Sequence, residues 1–206
     1  MASGAEGAQT AIQMQHVATK VTVSITAEEK ASLQHSDIME RLPCGKGAEQ
    51  VDPDTEHIKL VSLGHNCGPK LSFQHLGRGA ETLPFDWCRT RLEGILHFLR
   101  NDFEGFFDYV TQEPVPGIDG MIMYRNYFHS FWHDNPDDAG MQERYMRRVR
   151  RLQGIDAKSN YVLFVRAAMS KDELLLAEEL LGELISRHGQ GACLLLVVPS
   201  QTSIEG

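Results

Sequence analysis

The sequence is short of cysteine. Four are spread over 206 residues, at Cys44, Cys67, Cys88 and Cys193, and no two form a CxxC pair. That excludes a disulfide-stapled scaffold and a Cys-rich zinc ribbon, and four free thiols are the expectation. Positive charge is scarce as well: 20 Lys and Arg face 28 Asp and Glu, for a formal net charge of -8. This balance argues against a general nucleic-acid or anionic-membrane binder. No segment reaches the roughly 18–20 apolar residues that span a bilayer. The first residues, MASGAEGAQTAIQMQ, lack both a basic start with an apolar run and the Arg-rich look of a transit peptide. An intracellular, cytoplasmic protein is therefore expected. There is no GxGxxG, no P-loop and no GxSxG. The common nucleotide and serine-hydrolase readings fall away, and no cofactor is expected.

What is present suits one domain with a tail. The hydrophobic fraction is 42%, close to the ordinary globular range. Residues 1–56 are rich in Ala, Gly, Gln, Ser and Glu without a sustained period, and read as a flexible tail with at most a short strand at Val21–Ile25. The domain proper is expected over 57–206. Three short apolar runs, Ile58–Leu63, Asn160–Arg166 and Cys193–Pro199, read as buried strands. Helical patterns separate them, so the fold class is α/β, with a small parallel sheet of about three strands flanked by helices. The last strand falls almost at the end of the sequence, which suggests a chain truncated at its C-terminus.

Local signals place the helices. Asn66 can cap a helix starting at Cys67, Pro69 fits its first turn and Gly77 its end. Thr90 and Glu93, and again Ser170 and Glu173, have capping-box spacing. Leu92, Ile95, Leu96 and Leu99 form one apolar stripe, and Met141, Tyr145, Val149 and Leu152 another. The last helix should run to about His188 with Leu174, Ala177, Leu181 and Leu184 inward. Residues 115–138, rich in proline, glycine and aromatics, resist assignment, although IMYRNYFHSFW can be extended.

Few residues can do chemistry. Cys67 at a helix start faces free N–H groups and the positive dipole end, which lower a thiol pKa. His65, two residues upstream, is a candidate charge partner or base; the plainer reading of Cys67 is a small residue packing the turn. In HSFWHD, His133 is a candidate base for a Cys–His hydrolase, and His129, Phe131 and His133 share a face if the segment is extended. Asp134 points away from His133 on a strand, and Asp86 in PFDW is another candidate to orient the ring. His129 and His133 with His65 or Cys67 make only a weak zinc set, without CxxC or HExxH, so no metal is expected. Arg148, in the run RYMRRVRR, is a candidate anion contact, although such a run is more often a solvated helix face. Arg166 ends a buried strand, where α/β sheets carry ligand sites; pairing with Asp172 is the alternative.

Taken in order, VSLGHNC (61–67), LPFDWC (83–88), SFWHD (130–134), YMRRVRRL (145–152) and YVLFVR (161–166) resemble the motifs of the papain-like cysteine peptidase family, otherwise a domain of unknown function. The resemblance implies a cysteine-dependent hydrolase with Cys67 as nucleophile, His133 as general base and Asp134 or Asp86 as third member. It implies a peptide or small-molecule substrate. It also implies a base supplied by a separate antiparallel region, whereas the strands derived above are parallel. No Gln or Asn stands a few residues before Cys67 as oxyanion donor; Asn66 is adjacent, and backbone N–H groups at the helix start are the other candidates. A second class stays open: a non-catalytic or carbohydrate-linked binding module of the same fold, with structural motifs.

Overall fold

The computed structural model describes residues 55–168 and 170–198. All but the last two residues of the expected tail, the Val21–Ile25 strand and Cys44 lie outside them. In chain order the elements are β1 (Lys59–Ser62), α1 (Gly68–His75), β2 (Cys88–Thr90), α2 (Leu92–Arg100), β3 (Thr111–Pro114), β4 (Ile122–Arg125), β5 (His129–Phe131), α3 (Ala139–Gln153), β6 (Val162–Ala167), α4 (Lys171–Leu175), α5 (Ala177–His188) and β7 (Ala192–Val197).

The three apolar runs pair as expected, in a parallel sheet of order β1-β6-β7. Lys59 sits opposite Val162, and Val162 opposite Ala192. A second sheet, antiparallel and of order β2-β5-β4-β3, was not read from the sequence. Its strands are three or four residues long, too short for a period-2 pattern to stand out. One apolar core joins the sheets. Val61, Leu63 and Phe164 from the parallel sheet meet Phe85, Phe98, Phe106, Phe131 and the α3 residues Met141, Tyr145, Val149 and Leu152. The two helix stripes expected from the sequence are both buried.

Several local expectations need correction. Thr90 belongs to β2, and the residue before α2 is Arg91, whose side chain makes no cap. The free Leu92 N–H instead donates to Glu173 Oε1 at 3.1 Å, a partner far along the chain. The last helix breaks at Leu176 into α4 and α5. Leu180 and Leu184 face the core, while Leu174 is exposed. Cys193 was expected to be buried but is exposed, because β7 is an edge strand. The α3 cap, Asp138, was missed: its Oδ1 accepts from Gly140 and Met141 N–H at 2.6 and 3.2 Å. Gly77 does close α1 in the left-handed region (φ 68), with Arg78 N–H returning to Phe73 O at 2.8 Å.

Candidate active site

The site begins where β1 turns into α1. Gly64 and His65 both have positive φ, 68° and 79°, and swing the chain sharply off the sheet. Gly64 is required twice, since a Cβ there would also sit 2.4 Å from the Phe85 carbonyl oxygen. The SLGHNC and PFDW segments are thus packed against each other. Asn66 Oδ1 accepts from Gly68 N–H at 2.8 Å, and Cys67 takes the cap position with no side-chain cap bond.

This arrangement reverses the expectation for the thiol. Burial pushes the Cys67 pKa up, against smaller lowering effects from a backbone hydrogen bond and the Arg89 charge. The turn offers little to offset that burial. Asn66 already takes the Gly68 N–H, Pro69 has none, and α1 is only eight residues long. Few free N–H groups remain to favour thiolate. His65 supplies no positive charge: burial first, then Arg166, lowers its pKa to about 4.

The two histidines of HSFWHD part company. β5 ends at Phe131, so His129 and Phe131 face the core and His133 does not follow them. The His129 ring stacks on Phe106 at 4.9 Å and 7°, and burial lowers its pKa to about 4. His133 instead lines a cavity of about 190 Å³ together with Asn66 and Cys67. The remaining walls are Trp87, Cys88 and Arg89 of the PFDWCR stretch, Trp132, and Ile118 and Met121 of the β3–β4 turn. A larger cavity of about 390 Å³ runs along Glu56–Leu60 and Gly77–Glu81, but no Cys, Ser or Thr lines it. Cys88 is buried and bonded to Thr90 Oγ1 at 3.1 Å; burial drives its pKa to about 12, so it is no nucleophile.

The other candidates are held elsewhere. Asp134 binds Arg144 Nη2 at 3.2 Å and accepts from the Tyr145 hydroxyl at 3.1 Å, which turns it away from the cavity wall. Asp86 is buried, paired to Lys70 at 3.3 Å and accepting from Leu83 N–H at 2.8 Å. Burial outweighs Lys70 and raises its pKa to about 6. Neither aspartate lines the cavity. Arg166 is fully buried. It donates to Leu63 O at 3.1 Å and to Glu173 Oε1 at 2.6 Å, so its partner is Glu173, not Asp172, and its role is to tie β1, β6 and α4 together. Arg148 is half-buried and lies 4.3 Å over the Tyr145 ring, with Nη1 buried, and it does not line the cavity of Cys67 and His133. Among the described residues no three His, Cys, Asp or Glu side chains group as metal ligands, and no helix is long and apolar enough to cross a membrane.

Sequence reasoning missed Trp87, Arg89 and Trp132 as wall residues. The available signal was their position, each within a few residues of Cys88 or His133 in the motifs already singled out.

A cysteine heading a helix beside a parallel sheet, and a histidine just past a strand of an antiparallel sheet, open onto one cavity; the fold and site define an α/β protein with a thiol–imidazole cleft. The chain belongs to the family described as "putative papain-like cysteine peptidase", a domain of unknown function, which matches residues 58–198. It is similar to an uncharacterized protein of Acanthamoeba polyphaga mimivirus, 29% identical over 62% of this chain and 70% of the viral protein. No solved structure matches it.

Proposed function

We propose that the protein is a cysteine-dependent hydrolase of the papain-like kind, with Cys67 as nucleophile and His133 as general base. One observation carries the reading: two residues that follow strands of separate sheets, the thiol and the imidazole of the family motifs, line the same cavity. The raised thiol pKa sets the form of the mechanism. Cys67 rests as a thiol, not as half of a standing ion pair. His133 takes its proton as sulfur attacks the substrate carbonyl carbon, and returns it to the leaving group as the tetrahedral adduct collapses. The resulting thioester is cleaved by water, and the thiol is regenerated.

The backbone contributes less to the oxyanion than the helix start suggested. Gly68 N–H is occupied by Asn66 and Pro69 has none. The Cys67 N–H and the Asn66 side-chain amide, which lies on the cavity wall, are the donors left for that role. A burst of nitrophenolate from p-nitrophenyl acetate, with acetyl found on Cys67 by mass spectrometry, is the expected result. Cys67→Ala abolishes both. Equal bursts in the two proteins contradict the assignment and favour a binding module with structural motifs.

A further inference from the structure

Arg89 is an exposed residue at the middle of β2, paired opposite Ser130 of β5. Its guanidinium carbon lies 4.3 Å above the Trp132 ring, and the Trp132 indole is itself fixed by donating to Ser130 Oγ at 2.8 Å. The cation therefore sits over an anchored ring while the residue stays exposed. Among the described residues no carboxylate pairs with it. The arginines of the surface ion pairs, Arg100, Arg144 and Arg187, differ in this, each having an acidic partner. The cavity that Arg89 borders contains no Asp or Glu. Beside Asn66, the two cysteines and His133, the wall is apolar or aromatic: Trp87, Trp132, Met121 and Ile118. A volume of about 190 Å³ is below the roughly 300–1,000 Å³ of pockets for drug-sized ligands, so it suits one side chain or a short acyl group.

We propose that this cavity takes a carboxylate-bearing substrate with a compact apolar body, its carboxylate held by the fork of Arg89 and its apolar part packed between Trp87 and Trp132. The inference rests on the hydrolase reading above and adds its substrate class. A carboxylate fits better than a phosphate, because one arginine with apolar neighbours matches a single negative charge presented by a planar two-oxygen group. The Arg89 charge also acts on the Cys67 thiol, as expected if anion and nucleophile share one small space.

Alkylation by iodoacetate and by iodoacetamide tests this in the intact chain, with each cysteine followed by mass spectrometry. Both reagents attack the same thiolate, so the ratio of their rates cancels the thiolate fraction and reports only the preference for an anion. The ratio at Cys67 is expected to exceed that at exposed Cys193 by about fivefold, the scale of one partly solvated charge contact. Arg89→Gln brings it down to the Cys193 value, while Arg89→Lys, which keeps the charge, holds it up. In parallel, 3-phenylpropionate protects Cys67 from iodoacetamide and 3-phenylpropionamide does not. Equal ratios at the two cysteines, a ratio indifferent to Arg89→Gln, or resistance of Cys67 to both reagents overturns the proposal. Protection by inorganic phosphate as strong as that by 3-phenylpropionate overturns the choice of carboxylate. Failure of the hydrolase reading looks different: the ratio stays raised, but Cys67 reactivity is unaffected by His133→Ala.

Discussion

At the scale of single residues, charge is mostly spent on architecture. The Arg166–Glu173 pair is buried on both sides, and Glu173 also accepts the Leu92 N–H. Removing one member strands the other in the core. Glu173→Ala should cost about 3–5 kcal/mol of stability, read from the urea midpoint; a loss under about 1 kcal/mol contradicts the structural role. Asp134 has the same character. With its oxygens on Arg144 and Tyr145, Asp134→Asn should leave the Cys67 alkylation rate within about threefold, far from the 10²–10⁴ expected of a general base. A larger drop would restore Asp134 to the catalytic set. The direction of the Cys67 pKa was not legible in the sequence. Helix position and the Asn66 cap are local and visible, whereas burial of the thiol arises only in three dimensions.

His129 gives a pH-dependent prediction. Folding keeps its buried ring neutral with a pKa of about 4, while the unfolded ring binds a proton near 6.5. The unfolded state thus holds more protons between these values. The stability the neutral ring allows is complete above about pH 6.5 and is lost as pH falls towards 4, by about 3 kcal/mol. Neutral His65 acts in the same direction. Asp86 acts in the opposite one, since its raised pKa costs stability as pH rises from its ordinary value to about 6. The difference between wild type and His129→Phe isolates the one ring: Phe keeps the aromatic stack on Phe106, and the variant should lose less stability from pH 7 to pH 4. Parallel curves for the two proteins contradict this.

At the scale of elements, the parts with a sustained pattern were legible. The α3 stripe Met141, Tyr145, Val149 and Leu152 could be read because helical periodicity persists over four turns, and each of these residues is essentially inaccessible. The runs forming β1, β6 and β7 were apolar enough to stand out. The antiparallel sheet escaped because its strands are short and the β3–β4 turn carries Pro116, Gly117 and Gly120. Capping at α2 escaped because the partner, Glu173, is remote in sequence. The turn after β1 is where local and long-range demands meet at one glycine. Gly64→Ala would bring together a left-handed φ and a Cβ pressed into the Phe85 carbonyl. A loss above about 2 kcal/mol is expected, and Cys67 alkylation should speed up as the PFDW wall loosens. An unchanged unfolding midpoint contradicts the packing of the two motifs against each other.

At the scale of the whole molecule, two sheets around one core bring distant motifs to a shared cavity. The parallel sheet delivers Cys67 through the turn after β1, and the antiparallel sheet delivers His133 just past β5. The family resemblance implied a separate antiparallel region; periodicity and spacing alone did not, because the sheet that precedes His133 could not be seen in them. PFDWC, the Arg89 that follows it and SFWHD meet the cysteine motif at the cavity wall, where they supply Trp87, Arg89 and Trp132. The most direct test of the account is the rate at which a vinyl sulfone modifies Cys67 at pH 7, measured at that residue in the native protein and in His133→Ala. A resting thiol activated by a neighbouring imidazole predicts a fall of at least about 100-fold on losing the imidazole, with Cys193 unchanged in both proteins; rates at Cys67 within about twofold of each other would contradict it.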